Sequence, residues 1–312
     1  MRSPPLAALL GPTASGKTDL ALAIARQLPV EILVADSRQV YRGMDVATAK
    51  PDAVARAAVP HHLIDLVLPD QPFSLANWLA AARQLIPEIT ARGRLPLVVG
   101  GTGLYVSALL DGYQLDAAPP SPQLRRSLSE ELEQLGVGSL AARLERLDPA
   151  AAARTDLRNP RRVIRAFELA AHAHDGGGLA APIAEPWPGP LVLIGLHRSM
   201  AVLRRRIAQR TAGFFGNGQL DEVRGLLAAG YGPDLSPMSG HGYRETARYL
   251  AGESDLDEAI ADTVRRTAQY AKRQMTWFRR DPRIAWLDAG EGPADDPVIV
   301  ERAVSALSVV VR

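Results

Sequence analysis

One segment constrains this chain more than any other: Gly11-Pro12-Thr13-Ala14-Ser15-Gly16-Lys17-Thr18. It fits the spacing G-x-x-x-x-G-K-[ST]. It stands between an apolar run, Leu6–Leu10, and a helical pattern that reaches to about Leu28. Physical chemistry explains the spacing. Glycines let consecutive backbone N–H groups turn inward around phosphate oxygens, and the following helix presents its positive end at the same point. Lys17 adds a point charge, and the Thr18 hydroxyl is placed to hold Mg2+.

The rest of the chain alternates in the same way. Glu31–Ala35, His62–Leu66, Leu95–Val99 and Leu191–Leu196 read as strands, the last of them the final convincing one. Ser74–Arg92 reads as a helix capped by Ser74, with Pro87 bending or ending its last turns. Strands alternating with helices predict an α/β fold, a P-loop NTPase-like parallel sheet flanked by helices. Between about 116 and 190 the pattern changes to helical, arginine-rich and alanine-rich sequence. Pro119-Pro120 marks its entry, and Gly176–Gly178 with the Pro/Gly-rich stretch 182–190 its exit. We read 1–115 and 191–312 as the catalytic core and 116–190 as a helical insertion domain. Asp255–Phe278 is the longest continuous helical candidate.

Composition excludes several classes. There is no cysteine, so disulfides, thiol catalysis and thiolate metal sites are out. No stretch of 18 uncharged apolar residues predicts a membrane helix, and Leu6–Leu10 is too short for a signal peptide. The expectation is a soluble, unprocessed, cytoplasmic monomer. A net charge of +2 does not announce a nucleic-acid binder. The distribution says more. Lysine occurs only at Lys17, Lys50 and Lys272, so arginine is the default cation and the lysines stand out. Arginines cluster at Arg154–Arg165 and again at Arg265–Arg283, where Tyr270, Trp277 and Phe278 are interleaved. Such clusters suit phosphate tracking and base stacking, or serve as solvated helix faces.

Asp36 ends the second strand, where open α/β sheets bind ligands, and Ser37, Arg38 and Gln39 follow. A carboxylate there accepts a proton, anchors a metal, or caps the next turn. The run Gly100-Gly101-Thr102-Gly103 ends the fourth strand where an ATPase would carry a metal-supporting Asp. The cradle thus lacks its usual hydrolytic partner. His61-His62 has no third ligand at metal spacing, and no G-x-S-x-G element is present.

Taken together, the chain resembles the tRNA dimethylallyltransferase (tRNA isopentenyltransferase) family from roughly Leu9 to Leu287. The carrying segments are GPTASGKT at 11–18, DSRQVYRGMDVATAKP at 36–51 and HHLID at 61–65. With them go GGTGLY at 100–105, RNPRRVIRAFE at 158–168, GYRE at 242–245 and AKRQMTWFR at 271–279. The resemblance implies transfer of a dimethylallyl group from dimethylallyl pyrophosphate to the N6 amine of the adenine 3′ of the anticodon, position 37. The tRNAs would be those reading codons that start with U. It implies Asp36 as general base, Ser37 and Gln39 holding the adenine, and Thr102 near the reacting groups. Arg38 would join them on the tRNA. Lys17, Thr18 and Mg2+ would stabilise the leaving pyrophosphate. Arg125, Arg158, Asn159, Pro160, Arg161 and Arg162 would grip the anticodon stem-loop, and Lys272 with Arg273 the tRNA backbone.

Three positions depart from the family pattern: Ala47 where glycine is usual, Ser239-Gly240-His241 before GYRE, and Ala268 where arginine is frequent. The last removes one phosphate contact, for which Arg265 or Arg266 is a replacement. Three other readings share parts of the pattern. A P-loop small-molecule kinase explains the cradle but not the arginines, and it would bind ATP there. A free-nucleotide isopentenyltransferase needs no tRNA grip. A non-catalytic RNA-binding protein would not keep Gly16-Lys17-Thr18 and Asp36 intact.

Overall fold

The alternating apolar runs do form a parallel sheet. In this computed structural model, which describes residues 3–113, 121–174 and 185–311, the first half runs β1 (Leu6–Leu10), α1 (Lys17–Ala25), β2 (Val30–Ala35), α2 (Ala53–Ala58), β3 (His61–His62), α3 (Leu75–Ala91), β4 (Leu95–Gly100) and α4 (Gly103–Leu110). Next come α5 (Pro122–Leu147), α6 (Pro149–Ala153) and α7 (Pro160–His174). The chain then returns through β5 (Leu191–His197), α8 (Met200–Gly216), α9 (Gln219–Ala228), α10 (Tyr243–Leu250), α11 (Leu256–Phe278), β6 (Ile284–Asp288) and α12 (Pro297–Ser308). Contacts divide it into two compact units, Met1–Leu110 with Trp187–Arg312, and Asp111–Pro186.

The six strands lie in the order β3-β2-β4-β1-β5-β6, all pairs parallel. Every residue of β1, β2 and β4 is buried, as a sheet covered on both faces requires. From β1 the chain crosses to one side, and from β4 to the other. The crevice between the C-terminal ends of these two neighbours is therefore the topological switch point, where such sheets bind ligands. The phosphate loop follows β1 and the GGTG run follows β4.

Three sequence expectations change. β3 is only two residues long, not His62–Leu66, because Leu63 (φ 66°) and Asp65 (φ 54°) turn the chain left-handed. Pro87 neither ends nor shortens α3, which runs on to Ala91. The helix is held by its buried stripe of Trp78, Leu79, Ala82, Ile86 and Ile89 and by a Ser74–Asn77 capping box. A sixth strand, Ile284–Asp288, follows the one at 191–196 that the apolar pattern marks as final.

In the second unit, α5 is broken at Gly136 (φ 77°), so α11, with its 23 residues, is the longest unbroken helix among the described residues. Leu128, Leu140, Leu144, Val163 and Phe167 form the unit's core. Buried Glu168 on α7 takes a fork of hydrogen bonds from Arg125 on α5 (3.0 Å each) and a third from Arg165.

The crevice needs close backbone packing. A Cβ on Gly100 would stand 2.2 Å from the Ala35 carbonyl oxygen, and one on Gly103 2.4 Å from the Trp277 indole. Gly100→Ala therefore forces β2 and β4 apart. We expect it to lower unfolding free energy by about 2–3 kcal/mol in a urea titration at unchanged m-value.

Candidate active site

The phosphate loop is built as its sequence implies. Gly11 (φ 150°) and Gly16 (φ 99°) adopt conformations that side chains rarely allow, and Ala14 (φ 62°) takes the left-handed turn despite its Cβ. Lys17 Nζ donates to the Pro12 carbonyl at 2.8 Å, bracing the loop across its own width. Thr18 is exposed at the first turn of α1, and the Ser15 hydroxyl is buried without a partner among the described residues.

The loop faces a cleft of about 860 Å³. Thr13, Ala14, Gly16, Lys17 and Thr18 line one wall. Asp36 and Gln39 after β2, Gly100 at the end of β4 and Gly101 beyond it, and Arg206, Arg210, Tyr270 and Gln274 from α8 and α11 are also in its lining. Much of the sequence-predicted phosphate loop, with Asp36, Gln39, Gly100 and Gly101, is thus brought together at the C-terminal end of the sheet, while Ser37, Arg38 and Thr102 stand outside the lining.

Asp36 shows the capping reading of its position and lines the cleft as well. Its Oδ1 caps the next turn, accepting from the N–H groups of Arg38 (2.8 Å) and Gln39 (3.3 Å). Its Oδ2 makes no hydrogen bond to another described residue. The Thr102 hydroxyl accepts from the Ser37 N–H at 3.2 Å, so the β2 and β4 ends are tied. Gln39 uses its amide nitrogen on the carbonyls of Thr48 (3.0 Å) and Ala49 (3.4 Å), leaving its Oε1 as the atom open to a ligand. Arg38 is turned to the Ser236 carbonyl (2.7 Å) and the Ser239 hydroxyl (3.2 Å).

Three residues of this wall escape sequence reasoning, and a fourth, Tyr270, stands out there only as an aromatic among arginines. Gln274 joins the two glycine-rich ends: its Oε1 accepts from the Thr13 N–H and its Nε2 donates to the Gly101 carbonyl, both at 2.8 Å. Arg206 donates to the Ala14 carbonyl at 2.9 Å, and Arg210 to the Thr13 hydroxyl at 3.1 Å. Tyr270, beside the Thr102 and Gln274 side chains, has its phenol pushed up to about 12 by burial, with the Asp36 charge adding to the shift. The signal for Gln274 is the AKRQ segment itself, where the charges of Lys272 and Arg273 draw the eye past it. Lys272 and Arg273 are exposed, and Arg273 lies over the Tyr270 ring at 5.7 Å.

Lys50 is caged. Its side chain is 1% exposed, donating to the Tyr41 carbonyl (2.5 Å), Asp45 (2.6 Å) and Asp65 (2.6 Å), and so it fixes the loop after Asp36. His62 pairs with buried Glu31 at 2.7 Å, and His61 Nδ1 meets the Val59 carbonyl. Both are structural. Among the described residues no group of three or more His, Asp or Glu side chains forms a metal site.

The departures have local explanations. Ala47 would lie 2.8 Å from a Cβ on residue 242, and that residue is glycine (φ 92°). Ser239 receives Arg38. Ala268 packs, partly buried, into the cluster of Leu203, Ile207 and Ala271 that also takes in Ala14 of the loop. Arg265 and Arg266, the candidates for its missing charge, are paired with Asp262 and buried Glu245.

In the other unit, Asn159 Oδ1 accepts from the Arg162 N–H at 3.4 Å, and Pro160 begins α7. Arg158, Arg161 and Arg162 are exposed around that helix start, with the Arg158 side chain 97% exposed. Arg125 is held by Glu168, so it anchors α5 to α7.

Burial pushes the Lys17 ammonium from its ordinary 10.5 down to about 7. Nearby Arg210 pushes the same way and Asp36 opposes. An anion in the cradle restores the charged form, so binding between pH 7 and 10 takes up a proton and weakens as pH rises. Calorimetry of magnesium pyrophosphate binding at pH 8 in buffers of different ionisation enthalpy should show uptake of up to one proton. Lys17→Arg should abolish that uptake.

The chain matches known proteins along most of its length. The profile of the family described as IPP transferase matches residues 39–281, and that described as isopentenyl transferase matches residues 4–56. A protein of Roseiflexus castenholzii named tRNA dimethylallyltransferase is 47% identical over 304 residues, covering 96% of each chain. One of the same name from Syntrophobacter fumaroxidans is 45% identical over 295 residues, covering 92% of this chain and 84% of its own. The solved tRNA isopentenylpyrophosphate transferase of Bacillus halodurans is 38% identical with a TM-score of 0.73, covering 98% of this chain and 96% of that one. A eukaryotic dimethylallyltransferase acting on tRNA has a TM-score of 0.80, covering 99% of this chain and 80% of that one. At 22% identity its likeness is one of fold alone.

Proposed function

The chain belongs to the IPP transferase family, and from that premise we propose that it transfers a dimethylallyl group from dimethylallyl pyrophosphate to the N6 amine of adenine 37 in tRNAs reading codons that begin with U. The observation that carries the reading is a complete phosphate cradle facing Asp36 across a cleft, with glycine, not a metal-supporting Asp, after β4. That arrangement suits departure of a pyrophosphate better than transfer of a phosphoryl group.

The reaction breaks the C1–O bond of the prenyl pyrophosphate and forms a C1–N6 bond. The pyrophosphate leaves with the electron pair, and the loop N–H groups and Lys17 take up its growing charge. The donor set also fits Mg2+, since the open Thr18 hydroxyl offers one hard oxygen ligand, with pyrophosphate and water for the rest. A bound Mg2+ supplies further neutralisation of that charge. Asp36 accepts the N6 proton at Oδ2, the oxygen its turn does not use. Ser37, Thr102 and Gln39 Oε1 position the adenine, which must leave the anticodon stack to reach them. Arg158, Arg161 and Arg162 at the start of α7, and Lys272 and Arg273 on α11, grip the tRNA through its phosphates. The reaction is cytoplasmic on this reading, where tRNA is found.

The test is label transfer from dimethylallyl pyrophosphate with Mg2+ to an anticodon stem-loop, beside a tube holding AMP. Label in the RNA alone is expected. Label in AMP would assign the protein to free nucleotides instead. Asp36→Ala should lower turnover by at least about 100-fold while RNA affinity stays within roughly twofold. Equal loss of binding would remove Asp36 from the role of base. RNA affinity should also fall steeply with salt. The Arg158→Ala, Arg161→Ala, Arg162→Ala triple variant should flatten the logarithmic slope by about 0.7 per lost phosphate contact.

A further inference from the structure

Arg198, directly after β5, is a charged side chain 1% exposed. Its Nε donates to the Ser15 carbonyl of the phosphate loop at 2.8 Å. Its Nη1 donates to the carbonyls of Ala289 (3.0 Å) and Gly290 (2.9 Å), just past β6. Nη2 is buried without a partner among the described residues, 3.7 Å from where a Cβ on Gly16 would stand. Burial lowers its pKa from the ordinary guanidinium value, and the charges of Asp288 and Asp19 oppose that shift. Among the described residues no carboxylate bonds it directly. A buried cation held only by carbonyls is expensive, and an apolar side chain of similar volume would fill the same space without that cost. What the guanidinium adds is its fork, which grips three carbonyls from two distant segments.

We propose that Arg198 is a positioning residue for the phosphate loop. By holding the Ser15 carbonyl outward and tying it to the turn after β6, it keeps the N–H groups that follow aimed at the pyrophosphate, with a positive charge behind them. The same C-terminal segment closes on the loop a second time, since a Cβ on Gly16 would come within 2.4 Å of the Ala294 side chain. Residues beyond 281, where the family match ends, are thereby part of the loop's support. The inference rests on the phosphate reading of the cleft.

Arg198→Gln and Arg198→Lys test it, with four readouts: magnesium pyrophosphate affinity, anticodon stem-loop affinity, melting temperature, and amide exchange at Ser15, Gly16 and Lys17. Arg198→Gln should weaken pyrophosphate roughly 10- to 100-fold and speed loop exchange, with RNA affinity within about twofold. Arg198→Lys, which keeps charge but loses the fork, should recover part of that. A folded Arg198→Gln with unchanged pyrophosphate affinity and loop exchange overturns the proposal, whatever its melting temperature. Parallel loss of RNA and pyrophosphate binding also overturns it, since that marks general unfolding. If Arg198→Gln does not fold, the lysine variant decides by the same readouts. Failure of the unmodified protein to bind pyrophosphate would instead overturn the phosphate reading, and this proposal with it.

Discussion

A loop whose N–H groups converge on an anion must turn its carbonyls outward, and those carbonyls need donors of their own. Here three of those carbonyls receive a basic side chain. Pro12 receives Lys17, Ala14 receives Arg206 and Ser15 receives Arg198. The loop is thus organised from both sides: dipoles face the ligand and cations stand behind the dipoles. Electrostatic preorganisation of this kind costs no rearrangement at the moment of reaction. It also explains why so many elements crowd one end of the sheet. α8, α11 and the turn after β6 all deliver a donor or a brace to eight residues.

Gln274 extends the logic sideways. One amide accepts from the loop after β1 and donates to the strand end after β4, and the same helix places Tyr270 beside Thr102. Helix α11 therefore fixes the width of the crevice. Trp277 packs over Gly103 and donates to Ser107 at 3.2 Å, adding a third attachment. With Lys272 and Arg273 exposed on this helix, one element carries both a basic outer surface and the brace of the cradle.

The sequence spelled out what is local. The cradle, Asp36 and the GGTG turn each sit within a few residues of the strand that carries them, and backbone geometry alone ties such motifs to their places. What stayed hidden depends on pairing across the chain. Gln274 and Thr13 are 261 positions apart, and Arg210 and Thr13 are 197 apart. Arg125 enters the sequence reading only as a tRNA contact, and its ion pair with Glu168, 43 positions on, is not visible there. His62 has no visible purpose until Glu31 is beside it. The sixth strand is short and half exposed at the sheet edge, so its apolar signal is weak.

The near absence of lysine has a consequence of its own. Where arginine is the default cation, each lysine raises the question of whether a flat guanidinium would fit in its place. Lys50, sealed among Tyr41, Asp45 and Asp65, occupies a pocket that leaves no room for one. Lys272, exposed on α11, shows no such cage. In arginine-rich chains of this kind, a buried lysine marks a cavity shaped for an ammonium, a constraint on geometry written in composition alone.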